Sequence, residues 1–263
     1  MRQVVGSVVS NTELMPDTHL LWLRAPDIAG SARPGQFVMV RCGAGDDPLL
    51  RRPLSVHRTA GGEEMALLFR AEGRGTSLLS RYEDGDNLDV FGPLGNGFRI
   101  HLASRSLLLV AGGIGIAPLV FLAQEASNRG LKVHLVMGAQ DASLLYPEAL
   151  LPSSVDLLTV TEDGSQGMKG VVTDYVGAYA DQADQVFACG PASMYRYMAQ
   201  RDVFGITPVQ VALEQVMGCG LGACYGCTIE TGSGLRQVCR DGPIFELDDV
   251  SWAHFQSLDK RGR

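Results

Sequence analysis

Four of the six cysteines lie in one short segment near the end of the chain. They are spaced C-x4-C-x2-C-x11-C, at Cys219, Cys224, Cys227 and Cys239. Cysteine thiolates bind metals and form disulfides, so four structures compete: a disulfide framework, a zinc site, the cage of an iron–sulfur cluster, or a cluster of unligated thiols. The outcome decides whether the protein handles electrons.

The spacing discriminates between these alternatives. A structural zinc site usually has two C-x2-C pairs, whereas this segment has a single C-x2-C, preceded by C-x4-C. A C-x4-C-x2-C run with a distant fourth cysteine is typical of 2Fe–2S sites. Gly218, Gly220, Gly222 and Gly226 permit positive φ, with which a loop can wrap a cluster and direct N–H groups at its sulfurs. The spacing therefore favours an iron–sulfur cluster.

Composition places the chain among globular proteins. Its 263 residues are 46% apolar and 19% charged, which suits two domains or three small ones. A net charge of −7 disfavours a nucleic-acid or anionic-membrane surface. The N-terminus shows no basic segment followed by an apolar one, so we expect a cytoplasmic, reducing location, where disulfides are disfavoured.

The longest apolar run, residues 107–123, is interrupted by glycines and by Pro118. This pattern predicts a buried strand, a glycine loop and the start of a helix rather than a membrane span. The loop reads G-x-G-x-x-P over residues 113–118. Such a loop after a strand lets the backbone approach a pyrophosphate. A plain tight turn between strand and helix is an equally open alternative.

The predicted fold is a β barrel followed by an α/β domain. Residues 1–99 contain many short strands separated by turn residues, which indicates an antiparallel barrel with one short helix near Thr76. Residues 100–210 alternate strands and helices, which indicates a parallel, doubly wound sheet. Residues 211–263 carry four of the six cysteines, and we expect them to form a small C-terminal domain.

Two further segments of the predicted barrel are open to two interpretations. Arg52, at the start of R-P-L-S, offers a forked cation for a phosphate, or it is a solvated arginine on an edge strand. The N–H groups of Gly75 and Thr76 could bind an anion, or Thr76 could be the N-cap of the short helix.

Taken together, these motifs resemble a known superfamily. R-P-L-S, G-x-G-T, G-P-L-G-N-G-F, G-G-I-G-I-A-P and C-G-P occur in the order found in the ferredoxin–NADP reductase superfamily. The resemblance implies an FAD-binding barrel over residues 1–99 and a pyridine-nucleotide domain over residues 100–210. The implied flavin residues are Arg52, Pro53, Leu54, Ser55, Leu68, Phe69, Arg70, Gly75 and Thr76. The implied nucleotide residues are Gly113, Gly115, Cys189 and Gly190.

The choice of nucleotide depends on the ends of the later strands. An NADP enzyme needs a cation for the 2′-phosphate. Here the strand ends read GAQD (138–141) and TEDG (161–164), which are acidic or neutral. We therefore expect NAD. For Cys189, a small residue at a strand end is as acceptable an interpretation as a nicotinamide contact.

A closer resemblance covers nearly the whole chain. The segments E-Q-V-M-G-C-G-L-G-A-C-Y-G-C, V-C-R-D-G-P-I-F and T-E-D-G-S-Q-G-M-K-G are similar to those of the electron-transfer subunits of NAD-dependent (type B) dihydroorotate dehydrogenase. The resemblance implies that Cys219, Cys224, Cys227 and Cys239 hold a 2Fe–2S cluster. It also implies one FAD and a separate FMN-bearing catalytic subunit, in a heterotetramer of two plus two. Electrons from dihydroorotate would pass from FMN through the cluster and FAD to NAD⁺, in pyrimidine biosynthesis.

Two alternatives remain at this stage. One is the homologous subunit of a sulfide dehydrogenase, a hydrogenase or a bifurcating transhydrogenase. The other is a non-catalytic, zinc-stabilised binding module on a flavoprotein scaffold. We find no nucleophile–base pair and no carboxylate pair, so we predict no catalytic side chain. We expect the histidines to be surface or strand residues rather than ligands. They are His19, His57, His101, His134 and His254.

Overall fold

A computed structural model describes residues 1–43, 45, 47–201 and 203–255. Its strands and α-helices in chain order are β1 (Arg2–Met15), β2 (Thr18–Arg24), α1 (Pro26–Ala29), β3 (Phe37–Val40), β4 (Arg52–Ala60), β5 (Glu64–Arg70), α2 (Arg74–Leu79), β6 (Asn87–Leu94), β7 (Ser106–Gly112), α3 (Ile116–Asn128), β8 (Lys132–Ala139), β9 (Val155–Thr161), β10 (Met168–Lys169), α4 (Gly177–Ala180), β11 (Gln185–Cys189), α5 (Ala192–Gln200), β12 (Val209–Ala212), β13 (Thr228–Thr231), β14 (Gly234–Gln237) and β15 (Ile244–Glu246).

The first six strands form a closed antiparallel barrel, which confirms the sequence-based prediction. Their order around the barrel is β1-β2-β5-β4-β3-β6. Side chains alternate between the two faces of each strand, and those facing inward form a single apolar core that includes Leu21, Val38 and Phe69. Closure leaves no unpaired strand edge in the barrel.

The second unit is a seven-stranded sheet with the order β10-β9-β8-β7-β11-β12-β15. All neighbours are parallel except β15, which pairs antiparallel with β12. Helix α3 packs with the apolar cluster on one face of the sheet, and α5 with the cluster on the other. This arrangement is doubly wound, as predicted. The order around β7 places a topological switch between β7 and β11, where α/β sheets bind ligands at the carboxyl ends of their strands.

The apolar run at residues 107–123 folds as its glycines and proline predict. It forms β7, one 3-10 turn over Gly113–Gly115, and the first half of α3. Among the helices that the structure describes, none combines the length and apolarity needed to cross a bilayer.

The C-terminal segment lies between the barrel and the sheet. Cys227, Val238 and Cys239 pack in the same apolar cluster as Met39 of β3 and Val211 of β12. The segment then returns to the sheet through β15. The cysteine loop is therefore positioned by both larger units rather than by a core of its own.

Candidate functional site

The four clustered cysteines are arranged as two contacting pairs. All six cysteines of the chain are free, which removes the disulfide alternative. Cys219 contacts Cys224, and Cys227 contacts Cys239, with Cys219 close enough to Cys239 to affect its pKa. Across residues 1–43, 45, 47–201 and 203–255, no three His, Cys, Asp or Glu side chains converge as a single-ion site requires. Two pairs of thiols match a two-iron cluster better than one zinc ion.

Backbone N–H groups of the loop point at the sulfurs. Leu221 and Ala223 donate to Cys219 Sγ at 3.5 and 3.3 Å. Gly222 donates to Cys239 Sγ at 3.1 Å, and the N–H of Cys239 donates to Cys227 Sγ at 3.4 Å. Hydrogen bonds of this kind stabilise thiolates and tune the metal that they hold.

The two ends of the cluster site differ in acidity. Burial raises the pKa of Cys219, but the N–H groups around its sulfur outweigh burial and bring the pKa down to about 6. Burial, reinforced by the neighbouring Cys227, raises the pKa of Cys239 to about 12. A metal ion deprotonates a coordinating thiol outright. The raised pKa keeps the Cys239 thiol protonated unless a bound metal displaces the proton. Four cysteine sulfurs as donors fit an iron–sulfur cluster.

The loop glycines have two different roles. Gly220 and Gly222 have φ of 75° and 85°, as predicted for residues that wrap a cluster. Gly218 and Gly226 do not have positive φ, which corrects the expectation for these two positions. Instead, a Cβ on Gly218 would lie 3.3 Å from Cys224 Sγ. This glycine makes room for the sulfur of Cys224.

Asn96, in the G-P-L-G-N-G-F motif at the end of the barrel, forms hydrogen bonds with the part of the cysteine segment that follows Cys239. The N–H of Asn96 donates to Gly242 O at 2.6 Å, and its Nδ2 donates to Asp241 O at 3.0 Å. Both carbonyls follow Cys239 closely in sequence. Sequence analysis pointed to this motif only through the superfamily resemblance. The contact of Asn96 could not be predicted locally, because its partners Asp241 and Gly242 lie far along the chain.

The predicted phosphate residues of the barrel meet in the structure. Arg52 lies at the start of β4 and Gly75 in α2, and a Cβ on Gly75 would be 2.9 Å from Arg52 Nε. Arg52 also donates through Nη1 to Leu50 O at 2.7 Å, which fixes the guanidinium. A fixed guanidinium over a bare backbone, with a neighbouring hydroxyl, fits a diphosphate.

Thr76 lies one residue after Gly75, but it is not the N-cap residue of the helix. Gly73 is the N-cap of α2, and Thr76 is the third helical residue. Its Oγ1 accepts a hydrogen bond from the N–H of Gly73 at 3.2 Å and donates one to the carbonyl of Gly73 at 3.1 Å. The N-cap interpretation of Thr76 is therefore wrong.

The remaining flavin candidates lie on two adjacent barrel strands. Pro53, Leu54 and Ser55 are half-buried on β4 and pair with β3. On β5, Leu68 packs in the apolar cluster shared with the sheet, whereas Phe69 packs in the barrel core. A contact from Phe69 to a ligand would therefore come from its backbone.

A cavity of about 430 Å³ lies where the barrel meets the carboxyl ends of the sheet strands. From the barrel it is lined by Met15, Thr18 and Arg70, and from the sheet by the glycine loop at Gly112–Ile114. Sequence reasoning missed Met15 and Thr18. No local pattern marks them, because only the packing of two units distant in sequence brings them to the cavity.

The two loop glycines predicted to bind nucleotide differ in their surroundings. Gly113 lines the cavity with a φ of 56°, and a Cβ there would meet nothing within 4 Å. A Cβ on Gly115 would lie 2.1 Å from Cys189 O. Gly113 thus offers open backbone to a ligand, whereas Gly115 permits the loop to pack against the C-G-P turn.

The C-G-P turn lies directly behind the cavity wall. Pro191 lines the cavity, whereas Cys189 and Gly190 are absent from its lining within the described residues. Cys189 is buried, and burial raises the pKa of its thiol well above the ordinary value. The hydroxyl of Tyr195 accepts from the N–H of Gly190 at 2.9 Å and donates to Ala212 O at 2.7 Å. Cys189 and Gly190 therefore support the cavity wall from behind and do not themselves line the cavity.

The charges lining the cavity agree with the expected nucleotide. Glu162, which follows β9, lines it together with Gln140, which follows β8. Among the described residues that line the cavity, the cationic side chain is Arg70, which comes from the barrel. Its Nε is paired with Glu72 Oε1 at 3.4 Å. An acidic residue at a strand end suits a ribose 2′-hydroxyl and repels a 2′-phosphate.

The chain is similar to known proteins over almost its full length. Residues 214–251 match the family model described as the iron-sulfur cluster binding domain of dihydroorotate dehydrogenase B. The electron transfer subunit of dihydroorotate dehydrogenase B (NAD(+)) from Desulforamulus reducens is 39% identical over 90% of this chain and 94% of its own length. The subunit of the same name from Bacillus caldolyticus is 40% identical over 93% of this chain and 96% of its own length.

The fold also matches that of a solved oxidoreductase. This chain superposes with a TM-score of 0.86 on a chain of the NADH-dependent reduced ferredoxin-NADP oxidoreductase. That structure was described for its insights into flavin-based electron bifurcation. It is 32% identical, with 95% of this chain and 91% of that chain covered. The sequence similarity to the two bacterial subunits is higher and equally extensive. The chain therefore belongs to the family of electron-transfer subunits of dihydroorotate dehydrogenase B.

Proposed function

We propose that this chain carries electrons between a catalytic partner subunit and NAD⁺, through a 2Fe–2S cluster and an FAD that it binds. One observation carries the proposal: the loop that follows Cys219 rests on the barrel strand next to the predicted flavin strand. A Cβ on Gly220 would lie 2.6 Å from Met39 Cγ, and Met39 pairs with Pro53 of β4. A flavin exchanges single electrons and transfers hydride, so it suits a position between a cluster and a nicotinamide.

The cluster is held by Cys219, Cys224, Cys227 and Cys239. The barrel and the sheet fix the loop from both sides, and its N–H groups supply hydrogen bonds to the ligand sulfurs. A cluster held by four thiolates carries negative charge, which such donors stabilise.

The flavin site takes its diphosphate contacts from Arg52, Gly75 and Thr76. The half-buried strand residues Pro53, Leu54 and Ser55 lie along the same strand as Arg52. Leu68, Arg70 and the backbone of Phe69 complete the site on β5. Arg70 also lines the nucleotide cavity, which makes it the residue shared by the two sites.

The nucleotide site is built on Gly113, with Gly115, Cys189 and Gly190 supporting the loop from behind. Glu162 selects NAD over NADP by accepting from the ribose hydroxyl. The cavity opens towards Met15 and Thr18 of the barrel, so a nicotinamide in it would face the flavin unit.

The partner subunit docks on the face around Cys224. Cys224 is exposed, and a shallow hollow beside it is lined by Leu50, Arg51, Cys219 and Leu221. Tyr225, 70% exposed, lies next to Cys224. Exposed apolar side chains of this kind mark interaction surfaces, and a donor must come close to a cluster to reduce it. The name of the relatives implies that the partner subunit oxidises dihydroorotate. The resemblance to their family further implies that the partner binds FMN and that two copies of each subunit assemble. It also implies that the complex acts in the cytoplasm, in pyrimidine biosynthesis.

A second candidate is the equivalent subunit of a bifurcating oxidoreductase. The TM-score of 0.86 with a chain of such an enzyme supports it. The higher identity to the dihydroorotate dehydrogenase subunits favours the first candidate. The two differ in the partner that they require, so co-purification separates them.

The test is anaerobic co-expression with the FMN-bearing catalytic subunit, followed by cofactor analysis and a dihydroorotate:NAD⁺ assay. We expect about two iron atoms and one FAD per chain. Cys224→Ser should lose the iron, keep the FAD and abolish dihydroorotate-dependent NAD⁺ reduction. Cys42→Ala, which removes a buried thiol of the barrel, is the matched control and should keep the iron. A colourless, zinc-loaded protein would contradict the proposal, and a bifurcating partner in place of the FMN subunit would favour the second candidate.

A further inference from the structure

A fully buried histidine joins the barrel to the nucleotide unit. His57 lies on β4, two residues after Ser55, with none of its surface exposed. Its Nδ1 is 2.8 Å from Ala117 O, and its Nε2 is 3.0 Å from the hydroxyl of Tyr146. A carbonyl only accepts, so Nδ1 carries the proton, and Nε2 accepts from the hydroxyl of Tyr146.

Both partners of His57 belong to segments that shape the nucleotide cavity. Ala117 is in the first turn of α3, which begins two residues after the cavity-lining loop Gly112–Ile114. Tyr146 comes two residues after Leu144, which also lines the cavity. His57 itself is not part of the cavity lining that the structure describes. From the strand that carries the predicted flavin residues, His57 therefore contacts the two segments to which these lining residues belong.

The strength of this junction follows from its burial. Tyr146 is 2% exposed, and its ring meets the His57 ring edge-on with centroids 5.4 Å apart. A buried polar group that loses its hydrogen-bond partner destabilises the folded state, so the two hydrogen bonds of His57 together favour one relative position of the two units. Both ring nitrogens are used, and a sliding of the nucleotide unit along β4 would break the bond to Ala117 on α3 and the bond to Tyr146 after β8.

We propose that His57 is a positioning residue that sets the placement of the nucleotide cavity against the flavin strand, and so controls hydride transfer between NADH and FAD. The proposal rests on the proposed function, because it concerns the geometry between the two sites. Reactant placement matters steeply in such a step, and a displacement of about 1 Å can cost on the order of a hundredfold in rate.

Three variants separate the two hydrogen bonds. His57→Phe removes both and keeps a ring in the space. Tyr146→Phe removes only the bond at Nε2, with little change in volume, and it guards against a His57 variant that does not fold. His57→Asn places an amide N–H near the position of Nδ1 and keeps the bond to Ala117 O. His101→Phe, at an exposed histidine on the surface, is the control.

The readouts are measured on the anaerobically purified chain with its bound cofactors. In His57→Phe we expect NADH to reduce the bound FAD at least about tenfold more slowly at saturation, with the dissociation constant for NADH within about threefold of wild type. His57→Asn should recover most of the rate, and Tyr146→Phe should fall between the two. Amide hydrogen exchange gives a readout that needs no turnover: exchange should rise in residues 113–120 and 140–147 and stay unchanged in β1 and β2.

The outcomes are distinct. A His57→Phe protein that binds FAD, keeps the wild-type rate and shows unchanged exchange would overturn the positioning role and leave the proposed function standing. A rate that falls equally in His101→Phe would overturn it too. A wild-type chain that binds no FAD would overturn both proposals.

Discussion

Gly220 lies against Met39: a Cβ on the glycine would be 2.6 Å from Met39 Cγ and 3.2 Å from Leu94 Cδ1. Gly220 follows Cys219, the first of the four clustered cysteines, and Met39 lies on β3, between β4 and β6 in the barrel. The cysteine loop therefore touches the barrel one strand away from the R-P-L-S residues. This contact makes the cluster segment part of the barrel surface.

Gly220→Ala should reduce iron binding. The substitution adds the clash with Met39 to the cost of about 1–2 kcal/mol of a side chain at positive φ. We expect the loop to move away from Met39 and to displace the sulfurs of Cys219 and Cys224. Iron per chain, measured after anaerobic purification, should fall well below that of wild type.

Gly234→Ala is the matched control for Gly220→Ala. Gly234 lies in the hairpin between Cys227 and Cys239, has a φ of 101°, and leaves open space around a Cβ. It shares the backbone cost without the clash. Equal iron loss in the two variants would mean that the contact with Met39 does not position the loop.

Gly115→Ala and Gly113→Ala should have different effects. A Cβ on Gly115 would overlap Cys189 O, so we expect the free energy of unfolding to fall by about 3 kcal/mol or more. Gly113→Ala meets no neighbour and should cost about 1–2 kcal/mol for its positive φ. It should instead weaken NADH binding, because Gly113 lines the cavity. Denaturant unfolding and NADH titration measure the two effects, and the reverse order would exchange the roles assigned to the two glycines.

Much of the fold could be predicted from local patterns. The continuous apolar run of β7 and the glycines after it predict a buried parallel strand and a phosphate-type loop, and short alternating strands predict the barrel. The cysteine spacing predicts the kind of metal site. In contrast, β15 has only three residues, too few for a periodic signal, and its pairing with β12 depends on the whole C-terminal path.

Contacts between units lie beyond local sequence reasoning. Met15 and Thr18 look like ordinary barrel residues, and they line the nucleotide cavity because the barrel packs on the strand ends of the sheet. His57 is a strand residue, as expected, but its burial between two units depends on Ala117 and Tyr146. Sequence patterns report periodicity within an element, whereas these positions depend on which elements meet.

Glu162→Gln should weaken the preference for NADH over NADPH. The carboxylate lines the cavity at the end of β9, and in the proposed site it would repel a 2′-phosphate and accept from a 2′-hydroxyl. We expect kcat/KM for NADH to fall by about tenfold and that for NADPH to rise, since one charged hydrogen bond contributes about 1.5–3 kcal/mol. Glu148→Gln, at an exposed carboxylate outside the cavity lining, should change neither value. If the ratio of kcat/KM for NADH to that for NADPH were unchanged in Glu162→Gln, another residue would have to determine the nucleotide preference.

His57 should make the folded state sensitive to mild acid. Burial lowers the pKa of His57 from 6.5 to about 3, and Arg58 adds to the effect, while the hydrogen bond to Ala117 partly opposes it. Burial keeps the facing Tyr146 neutral by raising its pKa to about 12. Between pH 6.5 and about 3 the unfolded chain binds a proton at His57 that the folded chain does not bind, so stability falls as the pH falls through that window.

At about pH 5.5, one unit below the ordinary histidine pKa, the loss should be roughly 1.4 kcal/mol relative to about pH 7.5. His57→Asn cannot titrate, so it should lack this part of the loss while keeping the contributions of other groups. The difference between the two proteins in free energy of unfolding, measured by denaturant at both pH values, isolates the histidine. If the free energy of unfolding fell equally in wild type and in His57→Asn, His57 would be taking up its proton in the folded state. The barrel and the nucleotide unit would then separate easily at this junction.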